Sequence, residues 1–118
     1  MKRKDLGFCG EAEVGSFLIK QGFNIVARNY YTRYGEIDII AEKGEVLAFI
    51  EVKTRSKKFF SILQVITYSK RQRIINTAKH FLLKNSIVDK LCRFDVATVI
   101  FKKNKYEVEY LENAFQAN

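Results

Sequence analysis

The stretch Gly35 to Arg55, GEIDIIAEKGEVLAFIEVKTR, holds the side chains best suited to chemistry: Asp38, Glu51 and Lys53. A hard divalent cation such as Mg²⁺ takes oxygen ligands, usually one or two carboxylates completed by water and substrate phosphate. Asp38 and Glu51 are carboxylates of that kind, and the main-chain carbonyl of Val52 is a third candidate oxygen. Lys53 lies two residues beyond Glu51, on the same side of a strand, where it could orient an attacking water or stabilise charge on a phosphate. A cross-strand salt-bridged pair on a half-exposed sheet would use the same residues, and spacing alone favours neither reading.

Two strands must position this set. Glu36 to Ala41 and Val46 to Thr54 are rich in β-branched and aromatic residues, and Lys43-Gly44 marks the turn between them. Alternation puts Glu36 and Asp38 on one face of the first strand. It puts Leu47, Phe49, Glu51 and Lys53 on one face of the second. Pairing the strands could bring Asp38 close to Glu51. Charges carried on rigid strands are costly to desolvate, so they require a compensating partner.

The chain of 118 residues suits one domain, spanning 1–118, with one modest core. Its 47% hydrophobic content excludes a disordered chain. Cys9 and Cys92 lie far apart and His80 is the single histidine, so a zinc site is excluded. The charged MKRKD start and the lack of a long apolar run predict no signal peptide and no membrane span. A cytoplasmic, reducing location fits, with both cysteines as thiols.

The net charge of +8 is concentrated. From Lys53 to Val88 there is no Asp or Glu, while Lys53, Arg55, Lys57, Lys58, Lys70, Arg71, Arg73, Lys79 and Lys84 fall there. A basic segment directly after a carboxylate cluster suggests a polyanion, DNA or another nucleic acid, lying across an acidic pocket. A solvated basic helix face is the plainer alternative. A membrane-surface helix would need a clean bulky apolar stripe opposite the charge, and no membrane partner is expected.

A helix is expected from near Gly7 to Gln21, after a frayed tail over Met1 to Asp5 and stopped at Gly22. Val14, Phe17 and Leu18 mark its apolar face. Glu11 lies on or beside that face, either next to the metal pocket or as a helix-start acid favoured by the dipole. Phe23 to Tyr34 reads as a strand. Its mixture of Arg28, Tyr30, Tyr31, Arg33 and Tyr34 could stack on bases, although a sheet edge with snorkelling side chains is the preferred reading. Ser56 to Ile66 is a basic, then apolar connection. A helix over Thr67 to Lys84 buries Ile74, Ala78, Phe81 and Leu82 and carries Lys70, Arg71 and Arg73 in its first half, where a phosphate would relieve their conflict with the dipole. A doubly buried strand over Arg93 to Phe101 and a half-exposed antiparallel one around Tyr106 to Tyr110 complete the order α-β-β-β-α-β-β. That order fits an α/β mixed sheet flanked by helices.

Across nearly its whole length the sequence resembles the YraN family of small bacterial proteins. The resemblance is carried by Gly10-Glu11, Phe17-Leu18, Gly22-Phe23, Arg28-Asn29, Gly35-Glu36-Ile37-Asp38, Phe49-Ile50-Glu51-Val52-Lys53-Thr54-Arg55, Lys70, Ala78, Arg93-Phe94-Asp95 and Asn113-Ala114-Phe115. That family is placed in the PD-(D/E)XK nuclease-like superfamily, near archaeal Holliday junction resolvases, so the resemblance implies a restriction-endonuclease-like fold. It implies that Asp38 is the first motif acid, that Glu51 and Lys53 form the E-x-K, and that Glu11 is the first-helix acid. Glu36 is implied as a further metal-side acid and Lys70 as a phosphate contact. Ile37 replaces the superfamily proline, and the Phe59 to Gln64 segment is bulkier than the family's small loop.

The expected function is a Mg²⁺- or Mn²⁺-dependent endonuclease-like protein acting on DNA, branched or single-stranded. Asp38 and Glu51 would hold the ion with Glu11 and the Val52 carbonyl, and Lys53 would position water. Arg55, Lys57, Lys58, Lys70, Arg71 and Arg73 would follow the phosphate backbone. A non-catalytic nucleic-acid-binding module on the same fold is the alternative. A third is an assembly role through Phe59, Phe60, Ile62 and Leu63. Resolvase-like relatives act as dimers, which leaves a homodimer open.

Overall fold

The structure is a computed structural model. It describes residues 3–55 and 66–117, with side chains described for 10–54 and 66–117. Phe59 to Gln64, Lys57 and Lys58 lie outside the described residues, as does the side chain of Arg55.

Helix α1 spans Arg3–Lys20, strand β1 Asn24–Thr32, β2 Gly35–Lys43, β3 Val46–Arg55, helix α2 Tyr68–Lys84, β4 Leu91–Lys102 and β5 Lys105–Phe115. The element order is the expected one. Helix α1 begins four residues before Gly7, because nothing in Arg3 to Leu6 breaks a helix. It ends in a Schellman turn: Phe23 N–H donates to the Leu18 carbonyl, Gly22 N–H donates to that of Ile19, and Gly22 takes φ +94°. Helix α2 is capped by the Thr67 hydroxyl, which accepts the Lys70 N–H, and closes with Ser86 in the left-handed region.

The five strands lie in the order β1-β2-β3-β4-β5. Neighbours are antiparallel except β3 and β4, which α2 joins as a parallel crossover. Lys103 and Asn104 both take positive φ, as the two-residue β4–β5 hairpin requires. Strand β1 is an edge strand, which fits its mixed polar and aromatic sequence. Strand β5 runs five residues past Tyr110. A register shift opposite Phe94 and Val96, with Asn113 at φ +52°, lets it bend and continue to Phe115.

A helix covers each face of the sheet. Val14 and Leu18 of α1 pack on Ile39, Ala41, Ala48, Ile50, Ala97 and Val99. Ile74, Ile75, Ala78 and Phe81 of α2 pack on Ile37, Ile40, Leu47, Phe49 and Val96. Strand β4 is buried without a break from Phe94 to Ile100, as its continuous apolar run required. Leu82, expected on the buried face of α2, is only half-buried; Ile75 and Thr77 take that place.

A fully buried charged group braces this core. Asp95 is fully buried and accepts from Arg93 Nε at 3.0 Å, Arg93 Nη2 at 3.0 Å, the Tyr110 hydroxyl at 2.6 Å and the Asn113 N–H at 2.8 Å. The carboxylate pins the bent end of β5 to β4. Among described helices none is long and apolar enough to cross a membrane. Asp95→Ala would leave the Tyr110 hydroxyl and the Asn113 N–H without their acceptor, and Arg93 with Glu112 at 3.7 Å. It should lower the unfolding free energy in urea by about 3–5 kcal/mol.

Candidate metal and nucleic-acid site

The site lies where the sheet splits. Strands β2 and β3 pair from Lys43↔Val46 to Ile39↔Ile50 and then stop. Beyond that point β2 stays paired with β1 out to Gly35, and β3 stays paired with β4 out to Arg55. Continuing the register would set Asp38 opposite Glu51. Like charges directly opposite each other destabilise a ladder. The strands part there, and the Val52 N–H donates to Asp38 Oδ2 at 2.7 Å. The N–H and carbonyl of one residue lie on the same strand edge in such a pair, so the Val52 carbonyl also borders the split.

The split also disturbs the alternation of β2. Ile37 joins the core under α2 and Ile39 joins the core under α1. Asp38, between them, borders a cavity on each face. Burial, first, and then the neighbouring Glu51 push its carboxyl up to about 8, against the pull of the Val52 N–H. At neutral pH, with no cation beside it, Asp38 therefore keeps its proton.

On the α2 side a cavity of about 180 Å³ is lined by Gly35, Glu36, Asp38, Glu51, Lys70, Arg73 and Ile74. Glu51 is buried, and its Oε1 lies 2.7 Å from Lys70 Nζ and 3.3 Å from Lys53 Nζ. Two ammonium groups thus share one carboxylate oxygen. Burial, joined by the nearby Lys70, pulls Lys53 below the ordinary lysine value. Burial also opposes the charge of Lys70, but its bond to the Glu51 carboxylate outweighs that and raises it.

On the α1 side a cavity of about 320 Å³ is lined by Glu11, Ala12, Ser16, Arg28, Asn29, Asp38 and Ile39. Glu11 Oε1 is buried there without a hydrogen-bond partner. Burial and then the Glu36 and Glu51 charges raise its pKa, while Arg28 pulls the other way. The close approach of α1 depends on Gly10, where a Cβ would collide with the Thr54 side chain of β3. Glu11 is thereby held against the split in the sheet.

Asp38, Glu51, Lys53, Glu11 and Glu36 are therefore brought together. Lys70 and Arg73 border the same cavity. Arg71 does not: it lines a separate cavity of about 120 Å³ with Ile66, Val96, Ala114 and Phe115. Sequence reasoning missed the placement of Arg28 beside Glu11 and the bond from Lys70 to Glu51. The Arg28-Asn29 pair within a strand was the available signal for the first, since Asn tolerates a left-handed backbone, and Asn29 takes φ +50°. Among the described residues no three acid, histidine or cysteine side chains are grouped so as to hold an ion by themselves.

A mixed sheet with a helix on each face, and with acids and lysines gathered where two strands part, defines the class of protein. The chain belongs to the family described as Uncharacterised protein family UPF0102, whose model matches residues 10–99. The matched span takes in every acid and lysine of the site. A UPF0102 protein of Alkaliphilus metalliredigens is 41% identical over 113 residues, covering 95% of this chain and 98% of its own. One from Clostridium perfringens is 43% identical over 116 residues, covering 96% and 95%. One from Methylobacillus flagellatus is 40% identical over 115 residues, covering 97% and 99%.

The raised Asp38 has a consequence for stability. A carboxyl whose folded pKa exceeds its unfolded one stabilises the fold below about pH 4 and loses that contribution as pH rises towards about 8. Asn keeps the acceptor for the Val52 N–H and carries no charge. In metal-free buffer Asp38→Asn should therefore flatten the decline in unfolding free energy between pH 5 and pH 8, by about 1–3 kcal/mol. Parallel pH profiles for the two proteins would locate the proton elsewhere.

Proposed function

We propose that this protein is a cytoplasmic, divalent-metal-dependent endonuclease-like protein of the YraN type, acting on DNA. The observation that carries the reading is the parting of β2 and β3 at Asp38 and Glu51, with Lys53 on the same carboxylate. The donor set suits Mg²⁺ or Mn²⁺: hard oxygens only, two carboxylates and a main-chain carbonyl, with room left for water and phosphate. The orphaned Oε1 of Glu11 and the proton held by Asp38 are what acids gathered for a cation look like in its absence.

Bound there, the ion would polarise a phosphoryl oxygen and offset the charge that builds as the phosphodiester breaks. The chain's residues do the rest. Asp38 and Glu51 would hold the ion between their two strands. Glu11 and Glu36 add negative charge around it, Glu11 from α1 and Glu36 from the start of β2. Lys53, with its lowered ammonium, hydrogen-bonds the water aimed at phosphorus. Arg28 and Arg73 flank the split, one on each face, where they can meet phosphates on either side of the scissile one.

One observation favours the non-catalytic reading. Lys70 already neutralises Glu51, so the same architecture could bind nucleic acid with an ammonium standing where an ion would go.

Calorimetric titration of Mn²⁺ into wild type and Asp38→Asn separates the two readings. Saturable binding is expected for wild type, lost in the variant, with protons released below about pH 8. No binding by wild type would leave only the non-catalytic module. Where cleavage is measured, Asp38→Ala, Glu51→Ala and Lys53→Ala should each lower its rate on the order of 10²-fold or more. Undiminished cleavage by folded Asp38→Ala would remove the catalytic assignment. Lys70→Met frees the Glu51 carboxylate and should tighten Mn²⁺ binding by about tenfold, while weakening DNA binding.

A further inference from the structure

The paired tyrosines of β1 have opposite fates. Tyr30 is committed to the protein: its hydroxyl bonds to His80 Nδ1 at 2.9 Å, and its ring meets Phe81 edge-on at 5.2 Å. Tyr31 points to the other face and is 69% exposed. It stands opposite Glu36 in the β1–β2 register, and the charge of that carboxylate raises its phenol above the ordinary tyrosine value. Glu36 lies two residues before Asp38 on β2, so Tyr31 sits beside the end of the β2–β3 pairing. A solvent-facing aromatic ring thus stands at the margin of the split in the sheet.

It is not alone there. Tyr34, two residues past the end of β1 and 40% exposed, carries the Arg33 guanidinium 5.0 Å over its ring, and Arg33 Nη2 donates to its hydroxyl at 2.9 Å. Arg28, on the same strand as Tyr31, lines the α1-side cavity. The edge therefore carries both aromatic faces and cations, beside acids that would meet a phosphate through a bound cation. A base-paired duplex hides its base faces within the stack, and to such an edge it would offer only phosphates and groove. An unpaired nucleotide offers both a phosphate and a free π-face.

We propose that Tyr31 is the stacking platform for an unpaired base adjacent to the phosphate at the β2–β3 split, so that the substrate class is single-stranded or branched nucleic acid. This rests on the nucleic-acid reading above and narrows it. The stacked base sets which phosphate lies over Asp38 and Glu51. Strand-selective positioning then comes from one aromatic ring on an edge strand, with the cations supplying affinity of no sequence preference.

The test uses the full chain in EDTA, so that no cleavage enters the measurement. Anisotropy titrations compare wild type, Tyr31→Leu and Tyr31→Phe against labelled oligo-dT, a blunt duplex of equal length and an abasic oligomer. Tyr31→Leu should weaken oligo-dT binding roughly 5- to 150-fold, the loss of one base–aromatic stack. It should change duplex and abasic binding by less than about twofold and leave the salt slope unaltered, since no phosphate contact is removed. Tyr31→Phe should bind like wild type. Equal losses on oligo-dT and duplex, or no loss on oligo-dT, overturn the stacking role while leaving a nucleic-acid function standing. If wild type binds none of the three, as it would were this edge a seat for a protein strand, both readings fall together.

Discussion

Two carboxylates cannot face each other across a closed antiparallel ladder without countercharge. Much of this structure follows from that constraint. Strands β2 and β3 pair normally while no two acids face each other, and they part at the position where Asp38 would meet Glu51. Each acid is then satisfied in a different way. Asp38 takes a main-chain N–H and keeps a proton; Glu51 takes two ammonium groups. The charge problem is solved locally, and the solution leaves an opening between two strands that are each anchored on their far side.

That anchoring makes the opening rigid. Strand β1 holds β2, and β4 holds β3 through a parallel ladder that runs the full length of β3. The helices reinforce it from both faces. Helix α1 approaches through Gly10 and brings Glu11 to one side; α2 starts beside the split and brings Lys70 and Arg73 to the other. Distal support comes from the Asp95 cluster, which fixes the end of β5 against β4. In Asp95 the buried charge is fully paired and structural. At Asp38 and Glu51 burial is relieved differently, by a main-chain N–H and a raised carboxyl at the first and by two lysines at the second.

Much of this could be read before any coordinates. The element order followed from periodicity, and a helix between β3 and β4 permits the parallel pairing that they make. The turn residues Gly22, Gly44 and Asn104 sat where the backbone needed positive φ. The β2–β3 stretch declared itself because charged residues appeared at the end of apolar strands. Two placements were not legible. Lys70 was assigned to phosphate from its position on a basic helix, yet it reaches Glu51. Arg71, its neighbour in sequence, turns towards β4 and β5, because adjacent helix positions are about 100° apart. Basic residues counted as one patch in the sequence are divided by the helix between two surfaces.

By itself the sequence determined what is local: where strands and helices start and stop, which faces are apolar, and which side chains carry acid or base chemistry. These depend on periods of two and 3.6 residues and on single-residue turn geometry. The tertiary structure alone decided which charges meet. Whether Asp38 and Glu51 are bridged by a backbone N–H, a lysine or an ion depends on where the sheet ceases to pair and how closely α1 and α2 approach it. Those distances are set by packing between elements far apart in the chain, and no local pattern encodes them.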